Sequence, residues 1–346
     1  MKIGIFSLGL GRNYGGILQQ YALAKYMESL GHEVVILNRQ ANDGGFIKRT
    51  LRKALKMTGV KRYNQPVRKE PNIDAFNKRE FSVTDAVSSP RAFNKLCKRE
   101  KLDAIVYGSD QVWRRDFELK CGLDYFGAST PASVKQIAYA PSFGLDVWEY
   151  TPEETKRIKD LVSQFKAVSC REALGSKQIK DNLALEAPVV CDPTMLLTAQ
   201  DYSKLASERK EAKDYCFVYW LGDEQSMNKA IEDCVGIKGL EVVAINLRTT
   251  YPLSGIEDWL SLIKNANYVI TDSFHGTVFS LLFNKQFFIH CNRSGGFSRL
   301  ETLLKRVGAE SKLTNPDQGI DYNVVNKRVN EFRSESQLFL TQALSR

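Results

Sequence analysis

Residues 268–283 read YVITDSFHGTVFSLLF, a strand pattern that passes directly into a helix pattern. The run YVIT ends in the polar turn DSFHG, and an apolar helix follows. A strand that turns sharply into a helix is the repeating unit of sheets with parallel strands. The turn would gather hydroxyls, helix-terminal N–H groups and an imidazole around one point, which suits the binding of a phosphate.

Three residues of this turn are candidate site residues. Ser273 and Gly276 would offer a hydroxyl and a backbone N–H to an anion. His275 can donate a proton near neutral pH, so it is the candidate general acid or phosphate ligand. A single histidine is more often structural, and we place His32 and His290 in that class.

The same alternation of strands and helices runs through most of the chain, in two sets that join near residue 200. The strands of the first set are KIGIFSL, HEVVILN, DAIVYGSD, KQIAYA and AVSCRE, and those of the second are YCFVYWLG, EVVAINLR, NYVITDS and QFFIHCN. This pattern predicts an α/β protein with two Rossmann-like domains and mostly parallel sheets that face a central cleft. We expect the domains to cover residues 1–200 and 201–323, with a terminal helix over 324–346 that crosses back onto the first domain.

Length and composition agree with two globular domains. The chain has 346 residues, of which 43% are hydrophobic and 26% charged, and this length exceeds what one core usually supports. The first residues lack the features of a signal peptide, and no uninterrupted apolar run of about 18 residues occurs. These features predict a cytoplasmic protein without a spanning helix.

The cysteines and histidines predict neither a disulfide framework nor a metal site. The 7 cysteines are scattered without a CxxC pair, and there are 3 histidines. Such spacing is typical of free thiols in a reducing compartment. We therefore expect no metal and no bound cofactor.

A basic segment interrupts the first domain at about residues 43–70. Between Lys48 and Lys69 there are nine basic residues and no acidic one, with an apolar stripe at helical spacing. A helix exposed to solvent explains this pattern. A helix that rests on an anionic membrane or binds a lipid diphosphate explains it as well. Nucleic acid is not expected, because aromatic residues scarcely alternate with the basic ones.

The loop GLGRNYGG at residues 9–16 joins the first strand to the first helix. Its glycines let the backbone approach an anion, and the helix that follows offers unpaired N–H groups. Asn13, Gly15 and Gly16 are therefore candidate substrate contacts, although a tight turn without a ligand is also compatible with the sequence. A dinucleotide site is disfavoured, because the second strand ends in NR where that fingerprint needs an acidic residue.

The sequence GSDQVW at residues 108–113 follows an apolar strand. Ligands of open α/β sheets lie beyond the carboxyl ends of strands, so its polar and aromatic groups are candidate site residues. Ser109 is a candidate substrate contact, Asp110 a candidate general base toward a sugar hydroxyl, and Trp113 a candidate stacking surface. A helix-capping aspartate and a core tryptophan are equally compatible with the pattern.

Two arginines are candidates for binding the negative charge of a substrate. Arg171 ends the apolar run of VSCRE, where a guanidinium suits bidentate binding of a carboxylate or phosphate, unless it pairs with Glu172 or another acid. Arg299 ends the loop NRSGGFSR at residues 292–299. This loop is typical of an anion-binding or lid-like segment, and also of an ordinary surface loop.

Together these motifs resemble the polysaccharide pyruvyltransferase family. The resemblance runs from NYGG through GSDQVW, AYAPSFG, SCRE and CDPT to TDSFHG and the SR pair at 298–299. It implies a GT-B-like shape and the transfer of pyruvate from phosphoenolpyruvate to two hydroxyls of one sugar, forming a ketal in a surface polysaccharide. It also implies that Arg171 and His275 bind the donor, and we expect Ser142 of AYAPSFG among the substrate contacts.

One position departs from the family pattern. Many members carry an arginine two places before the histidine, where this chain has Ser273, so that donor contact is either missing or supplied by another residue such as Arg299 or Arg248. The expected partners are phosphoenolpyruvate and a sugar or lipid-linked oligosaccharide acceptor, with peripheral contact to an anionic inner membrane through the basic segment. Two alternatives remain: a GT-B-type glycosyltransferase with a nucleotide-sugar donor, which Asp272 alone supports, and a catalytically silent glycan-binding protein.

Overall fold

Two sheets of parallel strands, each flanked by helices, form the protein. The computed structural model describes residues 1–40, 70–118, 121–234, 237, 239–290, 296–315 and 318–345. The predicted basic segment falls almost wholly in residues 41–69, outside these ranges. The predicted fold class, two Rossmann-like α/β lobes of the GT-B kind, is confirmed by the strand order of both sheets.

The first sheet is formed by the first half of the chain. Its strands are β1 (Lys2–Phe6), β2 (Glu33–Ile36), β3 (Ala104–Tyr107), β4 (Lys135–Ala138) and β5 (Ala167–Val168). All pairs are parallel, in the order β2-β1-β3-β4-β5. The order reverses direction between β1 and β3, and ligands of open α/β sheets bind beyond the carboxyl ends of the strands at such a point.

The second sheet is formed by the second half of the chain. Its strands are β6 (Tyr215–Trp220), β7 (Glu241–Asn246), β8 (Tyr268–Thr271) and β9 (Phe287–Ile289), again parallel, in the order β7-β6-β8-β9. Every residue of β6 is buried. The unbroken apolar run YCFVYW suits a central strand that is covered on both faces.

Helices cover both sheets. They are α1 (Tyr14–Ser29), α2 (Pro71–Glu80), α3 (Pro90–Arg99), α4 (Arg115–Glu118), α5 (Pro152–Val162), α6 (Ala173–Leu183), α7 (Ala199–Leu205), α8 (Glu224–Asp233), α9 (Ile256–Asn265), α10 (Phe274–Leu282), α11 (Phe297–Val307) and α12 (Tyr322–Ser345). The sequence predicts that α1 starts just after the glycine pair, at Ile17. The helix starts earlier because Asn13 caps it and both glycines belong to its first turn.

The last helix packs against the first lobe. Ser336 on α12 accepts a hydrogen bond from the Cys191 N–H at 2.8 Å, and Lys135 Nζ at the start of β4 donates to the Leu344 carbonyl at 2.8 Å. These contacts fasten the end of the chain beneath the first sheet. Within the described ranges, neither α12 nor any other helix combines the length and apolar character needed to cross a membrane.

The two lobes share a hydrophobic core. One cluster of buried side chains contains Ile3 and Tyr14 of the first lobe together with Trp259 and Phe279 of the second. The Tyr14 ring stacks on Trp259 with 5.4 Å between ring centroids. Because α1 lies between the first sheet and the second lobe, most of its side chains are buried. The lobes therefore meet in a packed interface beside the ends of their strands.

Candidate active site between the lobes

The first turn of α1 touches candidate residues of both lobes. A methyl group added at Gly15 would lie 2.0 Å from Nδ1 of His275, so only glycine allows the second lobe to approach this closely. A methyl group at Gly16 would lie 3.7 Å from Oδ2 of Asp110, an ordinary contact. The predicted residues Gly15, Gly16, Asp110 and His275 are thus brought together.

Asp192 is the buried acidic centre of this cluster. Its Oδ2 accepts a hydrogen bond from Arg171 Nη1 at 2.9 Å and another from Gln19 Nε2, and it lies 3.6 Å from His275 Nε2. Its Oδ1 accepts the Thr194 N–H and hydroxyl at 3.0 and 2.6 Å. Burial alone would raise the pKa of Asp192, but His275, Arg171 and Thr194 together lower it well below its ordinary value. The carboxylate therefore stays ionised.

Neither Asp192 nor Gln19 is among the predicted site residues. A signal for Asp192 was present, since it follows the apolar run APVVC much as Asp110 follows IVYGS. Gln19 has no such signal, because it lies inside an amphipathic helix where a glutamine is ordinary. Its Nε2 also donates to Ser109 Oγ at 3.3 Å, which connects the end of β3 to Asp192.

Arg171 carries hydrogen-bonding capacity that the described residues do not use. Its side chain is 2% exposed, and its Nη2 lies 3.8 Å from Oδ1 of Asp110. The guanidinium also lies 4.9 Å from the centroid of the Phe274 ring, a cation–π contact across the lobe boundary. Nε and Nη2 are buried without a hydrogen-bond partner in the described part of the chain. A buried guanidinium in this state is suited to receive an anion.

Arg299 adds a second guanidinium to the cluster. Burial and the charge of Arg171 lower its pKa to about 10, so it is still charged at neutral pH. Its Nε, like Nε2 of His275, is buried and lacks a hydrogen-bond partner among the residues described. Arg248, the other predicted substitute for the family arginine, donates its Nε to the Leu221 carbonyl at 2.9 Å. The geometry thus favours Arg299 as the additional cation.

Ser273 and Gly276 build the turn that carries His275, and the Gly276 N–H is bonded within that turn. The Ser273 hydroxyl accepts the Gly276 N–H at 3.3 Å, and Ser273 is 2% exposed. A methyl group at Gly276 would lie 2.3 Å from Oγ1 of Thr271. Their predicted donor contacts are corrected to roles in helix capping and in close strand–helix packing.

Asn13 likewise has a capping role. Its side-chain oxygen accepts the N–H groups of Gly15 and Gly16 at 3.0 and 3.4 Å. The N–H groups that the sequence predicts to be open for an anion are therefore already bonded. The loop contributes to the site through the close approach of Gly15 to His275.

Ser109 and Ser142 lie beneath the site, although both are predicted substrate contacts. Ser109 is 1% exposed, and its hydroxyl donates to the Ala140 carbonyl at 2.9 Å. Ser142 is fully buried and donates to Oε1 of Glu172 at 2.8 Å. Both hydroxyls are saturated by protein groups, so they support neighbouring residues instead of touching a ligand.

The prediction that Trp113 stacks on a sugar is wrong. Trp113 is fully buried, stacks on Phe126 at 5.1 Å between ring centroids, and donates its indole N–H to the Tyr125 carbonyl at 3.1 Å. Asp110 adopts a left-handed backbone conformation with φ of 76°. Beyond it, Trp113 lies in the first-lobe core.

A cavity of about 530 Å³ lies next to the cluster, at the carboxyl ends of β1 and β2. Its walls are largely apolar and are formed by Ser7, Leu8, Gly9, Leu10, Ile36, Leu37, Asn38, Arg39, Gln40, Val83, Phe117, Cys121 and Tyr125. Arg39 on this wall is paired with the buried Asp124 at 2.7 Å. Ser7 joins the cavity to the cluster, because its hydroxyl donates to the Ser109 carbonyl at 2.9 Å.

The fold and the cluster define a two-lobed α/β protein whose buried cationic and acidic groups meet at the lobe boundary. Within the described ranges, no group of three or more histidine, cysteine, aspartate or glutamate side chains is arranged to hold a metal ion. The chain belongs to the polysaccharide pyruvyl transferase family, whose model matches residues 13–293. The family suspected from the motifs is thereby confirmed.

Solved structures with a similar fold have low sequence identity to this chain. A UDP-GlcNAc 2-epimerase from Methanocaldococcus jannaschii is 14% identical over 100% of this chain and 99% of its own, with a TM-score of 0.49. A glycosyltransferase from Rickettsia africae is 10% identical over 99% and 97%, with a TM-score of 0.47. No curated protein has a sequence that matches this chain significantly.

Proposed function

We propose that this protein transfers the pyruvyl group of phosphoenolpyruvate to two hydroxyls of one sugar, forming a ketal. The observation that supports this most strongly is the set of buried cationic groups at the lobe boundary. Arg171, Arg299 and His275 each have a buried nitrogen without a hydrogen-bond partner among the described residues. Phosphoenolpyruvate carries a carboxylate and a phosphate, and such groups need buried cations and N–H donors.

In this proposal Arg171 binds the donor carboxylate. Its Nε and Nη2 are adjacent donors on one guanidinium, the geometry that pairs with both oxygens of a carboxylate. Asp192 holds the opposite side through Nη1 at 2.9 Å, which fixes the plane of the guanidinium. Arg299 and His275 would then face the phosphate.

The proposed chemistry needs one acid and one base. His275 protonates the methylene carbon of the donor, and the adjacent carbon becomes an oxocarbenium-like centre. A sugar hydroxyl attacks that centre and gives its proton to Asp110. The phosphate leaves, and the second hydroxyl closes the ketal as its proton passes to the released phosphate. Proton transfer from Asp110 to His275 through water then restores both groups for the next turnover. Asp110 is 16% exposed, so an acceptor hydroxyl can reach it from solvent.

One contact in the second lobe makes the nucleotide-sugar alternative less favourable. That alternative requires a free carboxylate for the ribose, and Asp272 is its candidate. The two oxygens of Asp272 accept the N–H groups of Leu221 and Gly222, each at 2.8 Å. This carboxylate is thus used to join the ends of β6 and β8.

Calorimetric titration of the purified protein with phosphoenolpyruvate and with UDP-sugars tests the proposal. We expect saturable binding of phosphoenolpyruvate that is lost in Arg171→Ala and weakened in Arg171→Lys, because lysine cannot form two parallel hydrogen bonds. Arg115→Ala is the matched control, since it removes a first-lobe arginine that pairs with Glu154 away from the cluster. Binding of a UDP-sugar without phosphoenolpyruvate would assign a glycosyltransferase instead.

Turnover with an acceptor glycan tests the role of His275. We expect His275→Gln to lower kcat by about 10²–10⁴-fold while phosphoenolpyruvate still binds, because a positioned acid contributes about that much. His290→Gln is the control, since His290 packs beside Trp220 at 5.3 Å between ring centroids. Near-normal turnover of His275→Gln would exclude it as the acid.

A further inference from the structure

Glu172 is a buried acid that the proposed reaction does not use. It directly follows Arg171 and is 3% exposed. Its Oε1 accepts the Ser142 hydroxyl at 2.8 Å and the Phe143 N–H at 3.3 Å. Its Oε2 is buried and has no hydrogen-bond donor in the described part of the chain.

The orientation of this carboxylate is not explained by the helix that follows it. Glu172 is the N-cap residue of α6, yet its side chain makes no capping hydrogen bond. The N–H of Ala173 donates instead to Oγ1 of Thr302 in the second lobe, at 3.1 Å. Acidic side chains near a helix N-terminus are normally stabilised by its N–H groups. Glu172 is bound instead by Ser142 and Phe143, and its charge acts on Arg171 and Arg299.

Two buried guanidiniums at the same site repel each other. Burial and, after it, the positive charge of Arg171 lower the pKa of Arg299. Asp192 already accepts hydrogen bonds from Arg171, Gln19 and Thr194. Glu172 retains an unused oxygen, and burial raises its pKa even though both arginines favour its charged form.

We propose that Glu172 is the internal counter-anion of the donor site. Its charge balances the charges of Arg171 and Arg299 while no donor is bound, and it competes with the negative charge of the donor during binding. This inference rests on the proposed function and makes Glu172 a positioning residue that sets donor affinity. Removing its charge should therefore tighten anion binding, whereas a residue with a purely structural role would weaken it when replaced.

The size of the effect follows from Coulomb's law. A unit charge about 10 Å from a singly charged ligand, at an effective dielectric constant of about 20, changes the affinity by roughly tenfold, and each further negative charge on the ligand increases the effect. Glu172→Gln keeps the acceptor oxygen that Ser142 and Phe143 bind, so we expect it to fold. Glu172→Met removes the charge at similar size and provides a second charge-free variant.

The test is calorimetric titration of wild type and both variants with inorganic phosphate and with phosphoenolpyruvate. We expect both dissociation constants to fall about tenfold or more in Glu172→Gln, and that of phosphoenolpyruvate to fall further because it carries the additional carboxylate charge. Glu241→Gln is the matched control, because Glu241 is an exposed acid at the amino end of β7 and should leave both constants unchanged. Folded charge-free variants that bind no tighter than wild type would overturn this inference and leave the proposed function standing. A wild-type protein that binds neither anion would overturn both.

Discussion

The carboxylate of Asp192 contacts ionisable side chains of both lobes. It accepts a hydrogen bond from Arg171 of the first lobe and lies 3.6 Å from His275 of the second. A buried pair of this kind contributes little net stability compared with apolar packing, but removing one partner leaves the other charge uncompensated. The consequence of losing Asp192 should therefore be large for both folding and donor binding.

We expect Asp192→Asn to lower the free energy of unfolding by about 3 kcal/mol at neutral pH, because the buried Arg171 loses its counter-charge. The fold lowers the pKa of Asp192 below its unfolded value of 3.8, so this difference is fully present above that value and declines as the pH falls below it. Urea unfolding of both proteins from about pH 8 to about pH 3 measures the difference.

The control Asp201→Asn alters a partly exposed helix cap and should lower the free energy of unfolding by about 1 kcal/mol. A difference that already shrinks above about pH 5 would contradict the assignment.

Gly15 and Gly16 provide a matched pair of substitutions in one helical turn. Gly15→Ala places a methyl group 2.0 Å from His275 Nδ1, so the imidazole or the lobe boundary must shift. We expect kcat to fall by at least tenfold, because sub-ångström positioning of an acid controls its rate. Gly16→Ala, with its nearest contact at 3.7 Å, should preserve kcat and folding. Equal activity of the two variants in a pyruvyl-transfer assay would show that the close contact between Gly15 and His275 does not control turnover.

The turn from β8 to α10 is the element that places His275. Thr271 Oγ1 accepts the Ser273 N–H at 3.0 Å, and the Ser273 hydroxyl caps the helix through Gly276. The first turn of α10 is fixed in this way before any ligand binds. In this chain the position two residues before His275 thus supports helix geometry and contributes no charge.

Loss of this cap should affect both stability and binding. We expect Ser273→Ala to lower the free energy of unfolding by about 1 kcal/mol and to weaken phosphoenolpyruvate binding severalfold, because His275 loses a fixed support. Ser89→Ala removes a comparable serine cap from α3, where the hydroxyl accepts the Ala92 N–H at 3.3 Å. It should lower stability by a similar amount and leave binding unchanged. Thermal unfolding and calorimetry distinguish the two variants, and identical binding in both would contradict a role for the cap at the site.

The elements were more predictable from sequence than the contacts among them. Unbroken apolar runs such as YCFVYW identify the strands. The strand-to-helix turns identify the strand ends at which a site can lie. Candidate residues at those ends, Arg171 and His275, do come together. The buried position of Trp113 is not predictable in this way, because it depends on contacts with Phe126 and Tyr125 and on the left-handed conformation of Asp110, which has no sequence signature. Asp192 was missed because its importance arises from partners that are distant in sequence.

Polar contacts as well as the shared core hold the two lobes together. Arg12 Nε is 2.5 Å from Oε1 of Glu70, and its two terminal nitrogens donate to the carbonyls of Leu247 and Thr250 at 3.3 and 3.2 Å. Oε2 of the buried Glu70 accepts the Leu253 N–H at 2.9 Å. Arg12 and Glu70 thus tie the first lobe to the loop after β7. Because Arg12 precedes the turn that touches His275, lobe position and site geometry are physically linked.

We expect Arg12→Gln to lower the free energy of unfolding by about 2 kcal/mol, because three hydrogen bonds to a charged group are lost and Glu70 stays buried. Donor affinity should fall as well, since the lobes that carry Arg171 and His275 are held together less firmly. Arg99→Gln is the control: its surface pairs are exposed and screened by solvent, so their loss should leave the free energy of unfolding nearly unchanged. Urea unfolding followed by circular dichroism and by tryptophan fluorescence should give one transition in each protein, because the core is continuous across the boundary. If Arg12→Gln lost stability but kept wild-type affinity for phosphoenolpyruvate, the donor site would have to lie within one lobe.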